Sequence, residues 1–155
     1  MRRIPWILAL VLAALHGSSA SATPVQIDPL PRQFIEPGCG CTFYAPSDRG
    51  VQDPVLRWAH ADRKHAIMKL DGEVRQMILI QEKRLPKPRA QQGYGERLVL
   101  IFTDDRFRVE VPSSVTNACA SDTTGCGPTR YKARLIVRRG ADAARVVEAS
   151  GACGC

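Results

Sequence analysis

Two Cys-Gly-Cys segments, Cys39–Cys41 and Cys153–Cys155, bracket the body of this 155-residue chain. In an extended strand, residues i and i+2 point to one face, so each segment presents two thiols side by side. Laid antiparallel, two such segments set two cysteines opposite two cysteines. Cα separations of about 4.5–5.5 Å across that ladder suit a disulfide. Six cysteines allow many pairings, and spacing alone does not choose among them. The antiparallel arrangement favours Cys39–Cys155 and Cys41–Cys153, leaving Cys119–Cys126 to close a local loop. These bridges are read as structural. They tie the first strand of the body to its last, which requires a sheet curled into a barrel or two layers locked together.

Such bridges persist only in an oxidising compartment, and the N-terminus points to one. Arg2 and Arg3 precede an apolar run, Ile4–Leu15, and a small polar stretch ending Ala20-Ser21-Ala22. This is the layout of a secretory signal over 1–22, with cleavage expected between Ala22 and Thr23. The run falls short of the roughly 20 residues needed to span a bilayer. No later stretch is long enough either, so no membrane span is expected after signal removal. The expected location is the bacterial periplasm or the exterior. Losing two Arg and no acid changes 22 bases against 15 acids to 20 against 15, a net +5. That modest charge favours an anionic envelope component or an acidic protein as partner. Nucleic acid is not expected there. With 45% hydrophobic and 24% charged residues, the chain is neither disordered nor a multi-span membrane protein.

Residues 23–38, with Pro24, Pro29, Pro31 and Pro37, read as an extended leader that wraps the domain or stays loose. Residues 39–155 read as a single β domain. Strands are predicted over Cys39–Tyr44, Val55–His60, His65–Leu70, Val74–Glu82, Arg97–Thr103, Arg106–Val111, Thr129–Arg139 and Ala144–Ser150. Asp71-Gly72 is a strong hairpin signal. Asp104-Asp105 and Gly140–Ala143 mark two more hairpins. Lys83–Gly95 and Pro112–Pro128 read as loops. No stretch after the signal carries a sustained 3.6-residue period. The fold class is therefore all-β: a small, disulfide-stapled antiparallel barrel or sandwich of about seven to eight strands. Phe107, Val109 and Val111 are expected to face in, as are Tyr131, Ala133, Leu135 and Val137.

The outward positions of the same two strands carry the main functional candidate. If those strands are neighbours, Arg106, Arg108, Lys132, Arg134 and Arg138 share one face against Glu110, a possible anion-binding surface. A solvated face that deters edge aggregation is the simpler reading. No catalytic constellation stands out. Ser113, Ser114 and Ser121 lack a nucleophile-elbow pattern, and the spacing of His60 and His65 suits neither a strand face nor a helix face. No cofactor or metal is expected, and the chain is read as non-enzymatic. Four cysteines could instead carry zinc or copper, or exchange disulfides, so a metal carrier and a thiol–disulfide exchanger stand as alternatives.

Gly38-Cys39-Gly40-Cys41 with Phe43 and Tyr44, the Leu70-Asp71-Gly72 hairpin, the cysteine-closed late loop and terminal Gly151-Ala152-Cys153-Gly154-Cys155 together resemble a family of small exported bacterial Cys-Gly-Cys proteins. The resemblance spans Gly38 to Cys155. It implies an exported location and a β-rich fold, and brings no activity with it. A looser resemblance is to periplasmic lysozyme inhibitors built on small eight-stranded barrels. These present a loop to the acidic cleft of a cationic enzyme, and the likeness implies inhibition as an alternative function. No inhibitory motif matches here, and a +5 domain repels a basic partner at long range. The first expectation is an exported, disulfide-stabilised binding module of the bacterial envelope.

Overall fold

A computed structural model describes residues 23–35, 38–47, 50–59, 62–85, 95–117 and 127–154. The expected signal, His60, Cys119, Cys126 and Cys155 lie outside them. Nine strands occur among the described residues: β1 (Ile27–Asp28), β2 (Gly40–Pro46), β3 (Gln52–Ala59), β4 (His65–Leu70), β5 (Glu73–Leu85), β6 (Arg97–Thr103), β7 (Phe107–Asn117), β8 (Thr129–Arg139) and β9 (Arg145–Gly154). A 3-10 turn, Arg32–Phe34, follows β1. Among the described residues no helix is long and apolar enough to cross a membrane.

From β2 to β9 each strand pairs antiparallel with the next, and β9 returns to β2. Eight strands thus close an up-and-down barrel, which resolves the choice between barrel and sandwich and leaves those strands no open edge. The closing pair is covalent. Cys41 stands opposite Cys153 with Cα atoms 4.0 Å apart, and their sulfurs are joined. Cys39 is also disulfide-bonded. Glycines at this seam let neighbours come close. A Cβ on Gly40 would sit 2.5 Å from the Trp58 carbonyl oxygen, and one on Gly151 2.7 Å from the Phe43 ring. A methyl group fits at neither position without moving β3 or the ring.

The interior follows the expected alternation. Phe107, Val109 and Val111 of β7 and Ala133, Leu135 and Val137 of β8 are buried in one cluster with Phe43, Leu56, Met68 and Phe102. Each large side chain so buried contributes roughly 1.5–3 kcal/mol. Tyr131 remains half-exposed near the barrel's end. Several strands run further than the sequence suggests: β2 reaches Pro46, β3 starts at Gln52 and β9 reaches Gly154, and β7 and β5 extend through irregular points. β7 continues through Pro112 to Asn117, because that proline lies opposite Val99 of β6 while the β7–β8 ladder skips it, so its missing N–H costs a bond on one side only. β5 continues to Leu85 through a bulge between Leu79 and Gln81.

Asp71 and Gly72 both adopt positive φ, 50° and 83°. This is the primed two-residue turn that the dipeptide predicts, joining β4 to β5. The leader packs against this end of the barrel. Val25 belongs to the core cluster, β1 pairs with the last residues of β4, and the Leu30 amide donates to the Pro54 carbonyl at 2.7 Å. Two carboxylates tie the leader to the turn. Asp71 accepts from the Gln26 amide, and Asp28 accepts from the Gly72 amide, both at 2.9 Å.

Candidate functional site

The outer surface of β6–β9 gathers cations by strand alternation. On β8 the outward side chains are Arg130, Lys132, Arg134, Ile136 and Arg138. Arg138 lies directly opposite Arg108 of β7, and Lys132 opposite Ser114. Arg97, at the start of β6, lies opposite the same Ser114 from the other side. Arg97, Lys132 and Arg134 then line a shallow groove of about 450 Å³, floored by Val99 and Pro112 and bordered by Glu148.

Four of the five cations expected on this face are there: Arg108, Lys132, Arg134 and Arg138. Arg106 is not, because the chain bends into the β6–β7 turn at that point. Its guanidinium lies over the Phe107 ring, 5.5 Å from the centroid, and 4.0 Å from Glu73. Arg97 and Arg130 were missed. Arg130 follows from the same alternation that places Lys132 outward, one step before the inward Tyr131, whereas Arg97 needs the register of β6 against β7 to bring it to this face. Arg108 is paired to Glu110 at 3.2 Å. Among the described residues, Arg97, Arg130, Lys132, Arg134 and Arg138 make no ion pair within 4 Å.

A second concavity opens at the end of the barrel that the disulfide closes. Its volume is about 290 Å³, and the Cys41–Cys153 bridge, Phe43, Trp58, Leu100 and Tyr131 form its wall. Trp58 packs edge-on against Phe102 with centroids 6.1 Å apart. The bulge in β5 determines what else reaches this cavity. Before it, Leu79 lies opposite Phe102; after it, Glu82 lies opposite Leu100 and Arg84 opposite Leu98. Facing residues share a side of the sheet, so the extra residue turns a charged pair toward the inner side. Arg84 spans Glu82 at 3.2 Å and Glu96 at 3.1 Å. Burial works against its guanidinium, but both carboxylates hold its pKa above the ordinary value. Burial pushes the Tyr131 phenol up, as do Glu96 and Glu82, with Arg84 opposing.

Ser121 and His60 lie outside the described residues, and other candidates have structural partners. The Ser113 hydroxyl is buried and donates to the Leu98 carbonyl at 3.1 Å. Asp104 accepts from the Arg106 and Phe107 amides, which is turn chemistry. His65 Nδ1 faces Asp62 Oδ2 beside the β3–β4 connection. In the bridged form neither Cys41 nor Cys153 offers a thiolate to attack or to ligate. No protein-family model, curated protein or solved structure matches the chain.

Proposed function

We propose that the chain is an exported, non-enzymatic binding module of the bacterial envelope that docks an anionic component on the outer face of β6–β8. One observation carries this reading. Five outward cations on the two strands that flank β7, Arg97 of β6 and Arg130, Lys132, Arg134 and Arg138 of β8, have no ion-pair partner among the described residues. A cation left unpaired on a folded surface keeps its field available to a ligand, whereas the paired Arg108 has largely spent its own. The groove among three of them would seat a chain of anionic groups better than a flat face would. The layout of residues 1–22 supports the envelope location.

The test is binding to phosphatidylglycerol vesicles, phosphatidylcholine vesicles and poly-L-glutamate at low and physiological salt. The protein is expected to bind one or both anionic probes and to ignore phosphatidylcholine, with affinity falling as salt rises. Each of the five cations changed to Ser should weaken vesicle binding about fivefold, equivalent to roughly 1 kcal/mol per charge. Vesicle binding would assign a lipid-like surface, and poly-L-glutamate binding alone an acidic protein. Binding that survives loss of all five cations overturns the proposal.

A further inference from the structure

The groove on the outer face sets a hydroxyl between two cations. Arg97 of β6 and Lys132 of β8 both lie directly opposite Ser114 of β7, one on each side. Neighbouring strands are about 4.8 Å apart, so the two cations start roughly 10 Å from each other, with the short Ser114 side chain between them. Arg134 of β8 stands in the next outward row, opposite Glu148 of β9. Among the described residues, none of Arg97, Ser114, Lys132 and Arg134 has a side-chain hydrogen bond or an ion pair. Four donor side chains without a protein acceptor thus line one groove of about 450 Å³. Gathering like charges across a sheet opposes folding, and an anion seated among them removes that opposition.

We infer that this groove binds a phosphomonoester, with the phosphate seated over Ser114 between Arg97 and Lys132. The inference rests on the proposed docking of an anionic component and names the group that is docked. Charge favours a dianion. Three cations less one carboxylate, Glu148, leave the lining a net +2, and a phosphomonoester carries about −1.5 to −2 at neutral pH. A single carboxylate would offset half of that. Shape agrees with charge. The donors arrive from three strands, Ser114 from the floor and the cations from either side, which suits a tetrahedral group with three free oxygens better than a planar one with two. Arginine grips phosphate through paired N–H donors, and lysine serves as a point charge. Beside them the floor is aliphatic: Leu85, Val99 and Pro112 are half-buried and offer a surface to the esterified end of the ligand. The shared chemistry is the monoester phosphate, carried by a lipid or by a soluble molecule.

The test is an NMR titration of the full chain with phenyl phosphate and with benzoate, followed by binding to vesicles containing phosphatidic acid. Phenyl phosphate should move the Arg97, Ser114 and Lys132 amide resonances saturably. It should bind about tenfold more tightly than benzoate, as expected for one further hydrogen bond to a charged group. Ser114→Leu keeps every charge and fills the space between the two cations. It should weaken phenyl phosphate about tenfold, while the low-salt attraction to phosphatidylglycerol vesicles or poly-L-glutamate, which draws on all five cations, changes by less than about twofold. Arg97→Gln should weaken phenyl phosphate about fivefold and reads the same site if Ser114→Leu does not fold. Both source outcomes support the inference: phosphatidic acid binding that the same variants weaken assigns the phosphate to a lipid, and phenyl phosphate binding alone assigns it to a soluble molecule. No saturable response to phenyl phosphate, benzoate binding as tight or tighter, or unchanged affinity in these variants would each overturn it. The docking of an anionic component would still stand in that case, provided that loss of the five cations abolishes binding to the anionic probes.

Discussion

The two ends of the barrel are closed by different means. At one end β4 and β5, β6 and β7, and β8 and β9 are joined by short turns, and charged side chains knit those turns together. Arg75 reaches Asp104 and Glu73 at 2.9 Å and lies over the Phe107 ring. Arg139 reaches Asp71 at 2.8 Å, Asp142 at 2.9 Å and the Thr23 carbonyl at 2.7 Å. At the other end, among the described residues, sulfur holds β2 to β9 and a cavity is lined in part by Trp58, whose indole N–H has no partner there. The difference has a physical logic. Where many weak bonds close a barrel, they must fill the space to act. Where a covalent bond closes it, the space beneath can stay open at little cost to the closure.

The largest test of that contrast is reduction. In the chain-entropy account, a bridge across 112 residues contributes about 5 kcal/mol by restricting the unfolded chain. A small domain has only about 5–15 kcal/mol in total. Reduced protein should therefore lose most of its urea resistance, and Trp58 emission should shift to the red before β4–β5 amides lose exchange protection. An unchanged urea midpoint after reduction would show that packing closes both ends alike.

The corresponding change at the tight-turn end is Asp104→Ala. It leaves the Arg106 and Phe107 amides without an acceptor and takes from Arg75 a carboxylate only 10% exposed. The expected cost is about 3 kcal/mol, smaller than reduction, by equilibrium urea unfolding. Burial pushes the Asp104 carboxyl up, but the amides and Arg75 more than reverse it, so it sits below its ordinary 3.8. A carboxyl depressed in the folded state adds stability above its unfolded pKa and loses it as pH falls through the folded value. The wild-type urea midpoint should fall below about pH 4, and Asp104→Asn should flatten that fall. Equal acid sensitivity in the two proteins would remove Asp104 from the closure.

How far the sequence foretold this contrast depends on the range of each interaction. Asp71-Gly72 announced its turn because the needed positive φ is a local property of those two residues. Phe107, Val109 and Val111 announced an inner face because period two is local as well. The Cys41–Cys153 bridge was legible over 112 residues only because both cysteines sit in matching Cys-Gly-Cys segments whose antiparallel register is nearly forced. What stayed hidden needs register over distance. Arg139 looks like one more outward cation but pairs with Asp71, 68 residues away. Val25 sits in a Pro-rich leader and yet enters the core. Glu82 and Arg84 reach the inner face only through the β5 bulge, which leaves no mark in the pattern of a strand already rich in polar residues. The orphaned indole of Trp58 is a statement about what surrounds it, and no single residue encodes that.

The smallest expected effect sits at the disulfide end. Asp62 is held down to about 2 from 3.8 by its hydrogen bond to the His65 ring and by the Lys64 and His65 amides. Its carboxyl is exposed, so water screens most of what that shift could contribute to stability. A carboxyl-carbon titration by NMR should place its midpoint near 2, and His65→Ala should move it back toward the ordinary range. By the same sign as for Asp104, any stability it contributes disappears as pH falls from about 4 to about 2. The urea midpoint of His65→Ala should nonetheless match wild type at neutral pH. Two carboxylates, both depressed, would then differ in consequence because Asp104 is enclosed by the turn it joins and Asp62 is exposed. A clear loss of stability in His65→Ala would mean that the disulfide end also relies on its charged pairs.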